Sequence, residues 1–372
     1  MKRVCMFIFV GMSILISGCY DQTNLEEVSF TLMLGLDVDE DNNMIVYSSS
    51  PVFNKEAKEK VEVQSVKART IREARNKIDS TVTGITIAGK NQSLLLSMRF
   101  IRQKKNWIEM LDLLYREPKQ SASPRVILVD GPLSEIFNFT PENKPRLPIH
   151  MRKLIDTANR RNITVLTNVQ EFRRQIKEKG ISPVITEIRK DTRDIKVTGT
   201  SLLTSEGKYV DSLSLFESTL LLILQDKIDG DASLSIPVKS SSNADDNSRD
   251  YVAINIGKVK RKMKTAYAAG TFQFDVTLNL MITLYSRDFE YNVVKNKDEL
   301  EAAISKQLQK ELTALIAKCQ SNRVDPFGFG LYARAYQYPS WKVVQDHWET
   351  TFAKAKIQIK TKVEFQSEGV TE

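Results

Sequence analysis

The chain has 372 residues, with 54 lysines and arginines against 46 aspartates and glutamates, and a formal net charge of +8 at pH 7. One hydrophobic core rarely serves a chain of this length, so several domains are expected. Three cysteines and two histidines exclude a disulfide scaffold and a zinc site rich in thiolate or imidazole. The mild charge, with both signs interspersed, does not indicate a nucleic-acid partner.

The N-terminus has the pattern of a bacterial lipoprotein signal. A short basic segment precedes the apolar run Val4–Ile16, which is too short for a membrane-spanning helix. Ile16-Ser17-Gly18-Cys19 then matches a lipobox, in which the cysteine thiol receives a diacylglycerol. We expect residues 1–18 to be removed as a signal peptide and Cys19 to anchor the chain to a membrane. The alternative is an uncleaved anchor with an incidental cysteine.

The first predicted domain, residues 19–190, alternates strand and helix patterns. The predicted strands are Phe30–Leu36, Met44–Tyr47, Ser93–Leu96 and Arg125–Val129. The predicted helices are Ala68–Ser80, Asn106–Tyr115, His150–Asn159 and Val169–Lys179. Such alternation favours an α/β arrangement.

Asp37, Asp39 and Asp41 alternate between the first two predicted strands. This spacing superficially resembles a calcium-binding loop, but Asn42 and Ser48 stand where the loop needs glycine and glutamate. Clusters of aspartate and asparagine favour turns, because their side chains bond the local backbone. We therefore predict a hairpin turn.

The second predicted domain, residues 191–238, is a hairpin followed by a helix. Its predicted strands are Ile195–Leu203 and Tyr209–Leu213, and its helix is Leu215–Gln225. The serine-rich and aspartate-rich segment Lys239–Arg249 then predicts a turn or a flexible linker.

The third predicted domain, residues 239–372, combines long strands with amphipathic helices. Alternating apolar residues predict strands at 252–256, 272–284 and 357–365, and spaced leucines predict a helix at 300–315. We expect a largely antiparallel sheet with helices on one face. The basic segment Lys258–Lys264 predicts a solvated hairpin, the alternative being contact with anionic lipid or an acidic partner. Trp341 and Trp348 are predicted to share one helix face, because they are seven residues apart.

Chemical motifs are scarce. Gly328-Phe329-Gly330-Leu331-Tyr332-Ala333 fits a loose dinucleotide pattern, but no strand precedes it. His150, His347 and Cys319 are interpreted as structural residues. We therefore expect no catalytic residues, no cofactor and no metal, although abundant carboxylates leave a paired-acid hydrolase open.

Three groups of residues, in order behind the lipobox, carry a family resemblance. The N-terminal group is Cys19-Tyr20-Asp21, Leu25-Glu26-Glu27 and Gly35-Leu36-Asp37. The central group is Gly199-Thr200-Ser201-Leu202, Gly207-Lys208, Leu213 and Glu217-Ser218. The C-terminal group is Asp325, Phe327-Gly328-Phe329-Gly330, Pro339, Trp341, Trp348 and the final strand. Together they resemble the C-subunit lipoproteins of nutrient germinant receptors of endospore-forming bacteria (GerAC-like), many of which have tryptophan where this chain has Tyr20.

The resemblance implies a three-domain mixed α/β and α+β lipoprotein without catalytic activity. It would sit on the outer face of the cytoplasmic (inner spore) membrane, with two membrane-embedded subunits, A and B, as partners. The motif residues would be structural or interface residues: Asp21, Gly35, Asp37, Gly199, Glu217, Asp325, Gly328, Gly330, Trp341 and Trp348.

Two other classes remain open from sequence. A solute-binding lipoprotein of a membrane transporter would need two doubly wound lobes around a cleft. An envelope hydrolase would need one essential carboxylate pair, which no spacing singles out.

Overall fold

The computed structural model describes residues 27–53, 56–116, 121–238, 250–289, 291–293 and 295–367. The predicted signal peptide, Cys19, Asp21 and the predicted linker Lys239–Arg249 lie outside these residues. The described chain forms a mixed α and β structure with three sheets.

The first part of the chain alternates strands with short helices. Its strands are β1 (Val28–Phe30), β2 (Met33–Val38), β3 (Met44–Pro51), β4 (Val61–Lys67), β5 (Ile85–Ile87), β6 (Ser93–Ser97), β7 (Arg125–Val129), β8 (Val184–Lys190), β9 (Ile195–Leu203) and β10 (Tyr209–Leu213). Its helices are α1 (Ile71–Asp79), α2 (Met98–Gln103), α3 (Trp107–Met110), α4 (Asp112–Arg116), α5 (Leu133–Phe137), α6 (Leu147–Arg160), α7 (Val169–Lys177) and α8 (Leu215–Gln225).

Eight of these strands form one sheet in the order β10-β9-β8-β7-β6-β2-β3-β4. The central strands β2, β6, β7 and β8 are parallel, and the outer strands pair antiparallel. Leu94–Leu96 and Val126–Val129 are buried without alternation, as expected for parallel strands covered on both faces. The predicted α/β arrangement is confirmed.

Helices cover both faces of this sheet. Side chains of α1 to α4 and α7 pack on one face, where Trp107 stacks on Phe172 with ring centroids 5.6 Å apart. Helices α5 and α6 pack on the other face, around Phe137 and Met151. The helix predicted at 106–115 is two short helices, α3 and α4, with Leu111 between them.

The hairpin β9–β10 extends the sheet, because β9 pairs antiparallel with β8. Helix α8 follows it, and its buried leucines join the core of the C-terminal part of the chain. The hairpin and its helix therefore connect the first sheet with the second core. The division at residues 190 and 238 remains a prediction.

The C-terminal part is a four-stranded sheet with helices on one face. Its strands are β11 (Ala232–Val238), β12 (Asp250–Ala268), β13 (Thr271–Arg287) and β14 (Lys356–Ser367), in that order across the sheet. Its helices are α9 (Lys297–Ser321), α10 (Phe329–Tyr336), α11 (Tyr338–Val344) and α12 (Trp348–Phe352). Only the β13–β14 pair is parallel, so the predicted largely antiparallel sheet is confirmed.

Two predictions for this part are wrong. Lys258–Lys264 is not a hairpin, because β12 continues through it to Ala268 and the turn follows at Ala269 and Gly270. Trp341 and Trp348 do not share a helix, because a 3₁₀ turn at Gln345–His347 separates α11 from α12. Seven-residue spacing gave the right burial for both side chains but did not reveal this break.

Candidate functional site

Asp325 lies in the loop between α9 and α10 and is completely buried. Its carboxylate accepts hydrogen bonds from the backbone N–H groups of Gly328 (2.9 Å), Phe329 (3.2 Å) and Gly330 (2.9 Å). It also accepts one from the indole Nε1 of Trp348 at 2.8 Å. We call Asp325, Ser182, Gly328, Gly330 and Trp348 the Asp325 cluster.

The local sequence explains this arrangement. Gly328 has φ of +80°, a left-handed conformation that glycine adopts without strain, and helix α10 begins at the next residue. The first N–H groups of a helix have no partner within it, so the Asp325 carboxylate caps α10 from outside. The residues 328–333, which fit the loose dinucleotide pattern, thus form a turn and the start of a capped helix.

Burial raises the pKa of Asp325 to about 6, and the four hydrogen bonds limit the increase because they favour the charged form. The Asp325 carboxylate accepts its four hydrogen bonds from the chain itself and is closed to solvent. It is therefore not accessible to a substrate.

The Asp325 cluster joins the two parts of the chain. Ser182, which precedes β8, donates its backbone N–H to the Asp325 carbonyl at 2.8 Å and accepts the Asp325 N–H with Oγ at 2.8 Å. The backbones of Gly180 and Gly330 touch, since a Cβ added at Gly330 would lie 2.6 Å from the Gly180 Cα. Side chains at both positions are therefore excluded by close approach.

Polar contacts extend this junction outwards. Glu349 Oε1 accepts hydrogen bonds from Ser182 Oγ at 3.2 Å and from the Ser205 N–H, in the β9–β10 turn, at 2.7 Å. Arg334 pairs with Glu178 at 2.7 Å, and Lys179 pairs with Asp346 at 2.6 Å.

The two predicted tryptophans have different surroundings. Trp348 packs its edge against Phe272 of β13, with ring centroids 5.3 Å apart, besides its bond to Asp325. Trp341 is 4% exposed, its ring lies under the Arg334 guanidinium, and its Nε1 has no hydrogen-bond partner among the residues that the structure describes. Only Trp348 belongs to the Asp325 cluster.

Gly199 and Glu217 form a second cluster around the β9–β10 hairpin. Gly199 has φ of +151°, and a Cβ there would lie 1.8 Å from the Leu213 carbonyl oxygen. Glu217 and Ser214 form a capping box at the start of α8. Lys318 of α9 then bonds Glu217 at 3.0 Å and the Ser212 carbonyl at 2.8 Å, which ties the hairpin to the C-terminal part.

Asp37 and Gly35 form a third cluster at the end of β2. Asp37 is completely buried and accepts hydrogen bonds from the Arg99 guanidinium, the Ser97 hydroxyl and the Leu133 and Val38 N–H groups. Burial alone would raise the pKa of Asp37, but these donors hold it below its usual value. A Cβ at Gly35 would lie 2.6 Å from the Phe137 ring.

The partners of these residues were not predicted from sequence. Arg99, Ser182 and Lys318 lie 62, 143 and 101 positions from the carboxylates or N–H groups they bind. No local pattern marks such distant pairs. Gly180 was visible only as a glycine that follows a helix.

The two fully buried carboxylates of these clusters, Asp37 and Asp325, are closed to solvent. Cys319 is buried, and burial raises the pKa of its thiol. Within the described ranges, no three His, Cys, Asp or Glu side chains are grouped so that they could hold a metal ion. No helix in the part of the chain described is long and apolar enough to cross a membrane.

Comparison with known proteins connects the chain to spore germination. Residues 21–190 match the family described as "Spore germination protein N-terminal domain", and residues 198–369 match "Spore germination B3/ GerAC like, C-terminal". Spore germination protein A3 of Bacillus subtilis (strain 168) is 24% identical over 97% of this chain and 96% of that protein. Spore germination protein GerQC of Bacillus cereus is 19% identical over the full length of both.

A solved structure has the same fold. The crystal structure of the GerBC protein superimposes with a TM-score of 0.57 and 17% identity, over 92% of this chain and 100% of that chain. The mixed α and β architecture is therefore shared.

Proposed function

Because the chain belongs to the GerAC-like family of spore germination proteins, we propose that it is the lipid-anchored C subunit of a nutrient germinant receptor. The observation that carries the proposal is the match to both family regions along almost the whole chain, directly behind a lipobox at Cys19. The subunit would help spores respond to small nutrient molecules.

We infer a role in assembly, not in catalysis. The buried carboxylates of Asp37 and Asp325 accept hydrogen bonds from donors of the chain itself, and the Cys319 thiol is buried. Their contacts fix the chain's own elements against each other. A rigid body of this kind suits a subunit that presents surfaces to partners.

The proposed partners are the membrane-embedded A and B subunits of the receptor. A lipid on Cys19 would place the chain on the outer face of the cytoplasmic (inner spore) membrane. Tethering raises the effective concentration of the partners, so each protein contact could be weak. Within this proposal Cys19 keeps its assignment as the lipidated residue, and Asp21 and the other motif residues keep theirs as structural or interface residues.

The architecture gives little support to a solute-binding lipoprotein. That class needs two doubly wound lobes, whereas helices cover only one face of the described C-terminal sheet, and lysines occupy the other.

The anchor and the role can be tested together in spores. We expect deletion of the gene to slow germination with at least one nutrient, and the wild-type gene to restore it. Cys19→Ala should abolish lipid labelling and restore germination less well, because the chain would lose its membrane anchor. Cys5→Ala is the matched control and should be labelled normally, since Cys5 lies inside the signal. Normal labelling of Cys19→Ala, or unchanged germination after deletion in every nutrient tested, would refute the proposal.

A further inference from the structure

The uncovered face of the C-terminal sheet is strongly basic. Side chains of β12 and β14 that point away from the helices include seven lysines: Lys258, Lys260, Lys262, Lys264, Lys356, Lys360 and Lys362. All seven are exposed. We call this surface the lysine face.

The strand register arranges these lysines in two columns. Lys260 and Lys362 lie on either side of Asn279, and Lys262 and Lys360 lie on either side of Thr277. The columns are two strand spacings apart, about 10 Å. Between them, Asp275, Thr277 and Asn279 of β13 line a shallow depression of about 450 Å³.

The positive charge is largely uncompensated. Lys362 pairs with Glu364 at 2.6 Å, but none of the other six lysines has an ion pair within the described residues. Asp275, beside Lys264 in the register, is a further carboxylate on this face. By contrast, Arg261 on the inner face of β12 bonds the Tyr332 hydroxyl at 2.6 Å and the Leu224 carbonyl.

The composition of the lysine face decides between two kinds of anionic partner. Protein interfaces are depleted of lysine at their centre and rely on aromatic, apolar or arginine anchors. The residues that line the depression are lysines, Thr277, Asn279, Gln358, Val276 and one carboxylate, Asp275, and none of them is aromatic. Clustered flexible lysines are instead typical of attraction to anionic membrane surfaces, where each contributes independently of a fixed partner geometry.

We propose that the lysine face binds the headgroups of anionic phospholipids. The contact goes beyond the proposed receptor role, because it needs neither the Cys19 lipid nor another subunit. It would orient the C-terminal sheet towards a membrane and would weaken as salt screens the charges.

Vesicle binding tests this inference. A chain that starts at Tyr20 retains every residue of the described cores, so it can be used without the anchor. We expect it to sediment with phosphatidylglycerol vesicles at low salt but not with phosphatidylcholine vesicles. Changing Lys260, Lys262, Lys264 and Lys360 to glutamine should weaken binding by about tenfold or more.

Two control variants make the result specific. Changing Lys153, Lys306, Lys310 and Lys342, which are exposed elsewhere, to glutamine alters the net charge equally and should leave binding within about twofold. Changing the four face lysines to arginine should preserve binding. Equal loss in both glutamine variants, equal binding to both vesicle types, or no binding of the wild-type chain would overturn the proposal. Loss of an acidic protein partner in the face variant, with no vesicle binding by the wild type, would assign the face to that partner instead.

The vesicle assay uses neither spores nor receptor subunits. Its failure would therefore leave the proposed germination role untouched, and failure of the germination test would leave the lipid contact untouched.

Discussion

Asp325→Ala is expected to lower the free energy of unfolding by about 4 kcal/mol near pH 5, because it leaves several buried N–H groups without an acceptor. Denaturant unfolding measures this loss. Asp346→Ala is the matched control, since Asp346 is 64% exposed and pairs with Lys179 at the surface. The control should cost less than about 1 kcal/mol. Equal losses in the two variants would contradict the role assigned to Asp325.

The same variant should change the pH dependence of stability. Burial raises the pKa of Asp325 from 3.8 to about 6, so the native chain holds this proton more tightly than the unfolded chain. The stabilisation that comes from this tighter proton binding is fully present below pH 3.8 and is lost as the pH rises through about 6. The loss caused by Asp325→Ala should therefore shrink by roughly 1 kcal/mol between about pH 5 and pH 8. A loss that grows over this range would show that the pKa is lowered.

Gly199→Ala is expected to cost about 4 kcal/mol, since overpacking and backbone strain act together. The new Cβ would overlap the Leu213 carbonyl oxygen, and the φ of +151° is unfavourable for any side chain. The Leu213 carbonyl oxygen is a backbone atom and cannot change rotamer as a side chain can. Relief of the overlap therefore requires β9 and β10 to separate locally. Thermal and denaturant unfolding measure the effect.

Gly270→Ala is the control for this change. Gly270 also has positive φ, +74°, but a Cβ there meets nothing within 4 Å. It should cost about 1 kcal/mol, from backbone strain alone. If both glycine variants lost the same stability, close packing of β9 on β10 would not be the reason for Gly199.

Periodicity predicted most elements because it reflects burial. The alternation at 272–284 follows a strand with one covered face, and the unbroken apolar runs of β6 and β7 follow parallel strands covered on both faces. Periodicity did not predict the helix break between Trp341 and Trp348, because a 3₁₀ turn separates the two helices while both rings stay buried. The basic segment Lys258–Lys264 predicts a hairpin and not a continuing strand because its inward-facing residues are themselves partly polar.

The candidate sites were harder to predict than the fold. The aspartate and asparagine neighbours of Asp37 predict a turn, yet its partner Arg99 lies 62 positions away. Asp325 and Ser182 meet only because β8 and the α9–α10 loop pack together. Single-sequence patterns reveal local spacing, and these clusters depend on contacts between distant segments.

The proposal that the chain is a receptor subunit at a membrane is tested most directly by identifying the proteins that associate with it in spores. The measurement is purification of the tagged full chain from detergent-solubilised spore membranes, with an untagged strain as control. We predict that two membrane-embedded germination proteins co-purify with it. Recovery of the chain alone, or together with the permease of a transporter, would contradict the claim.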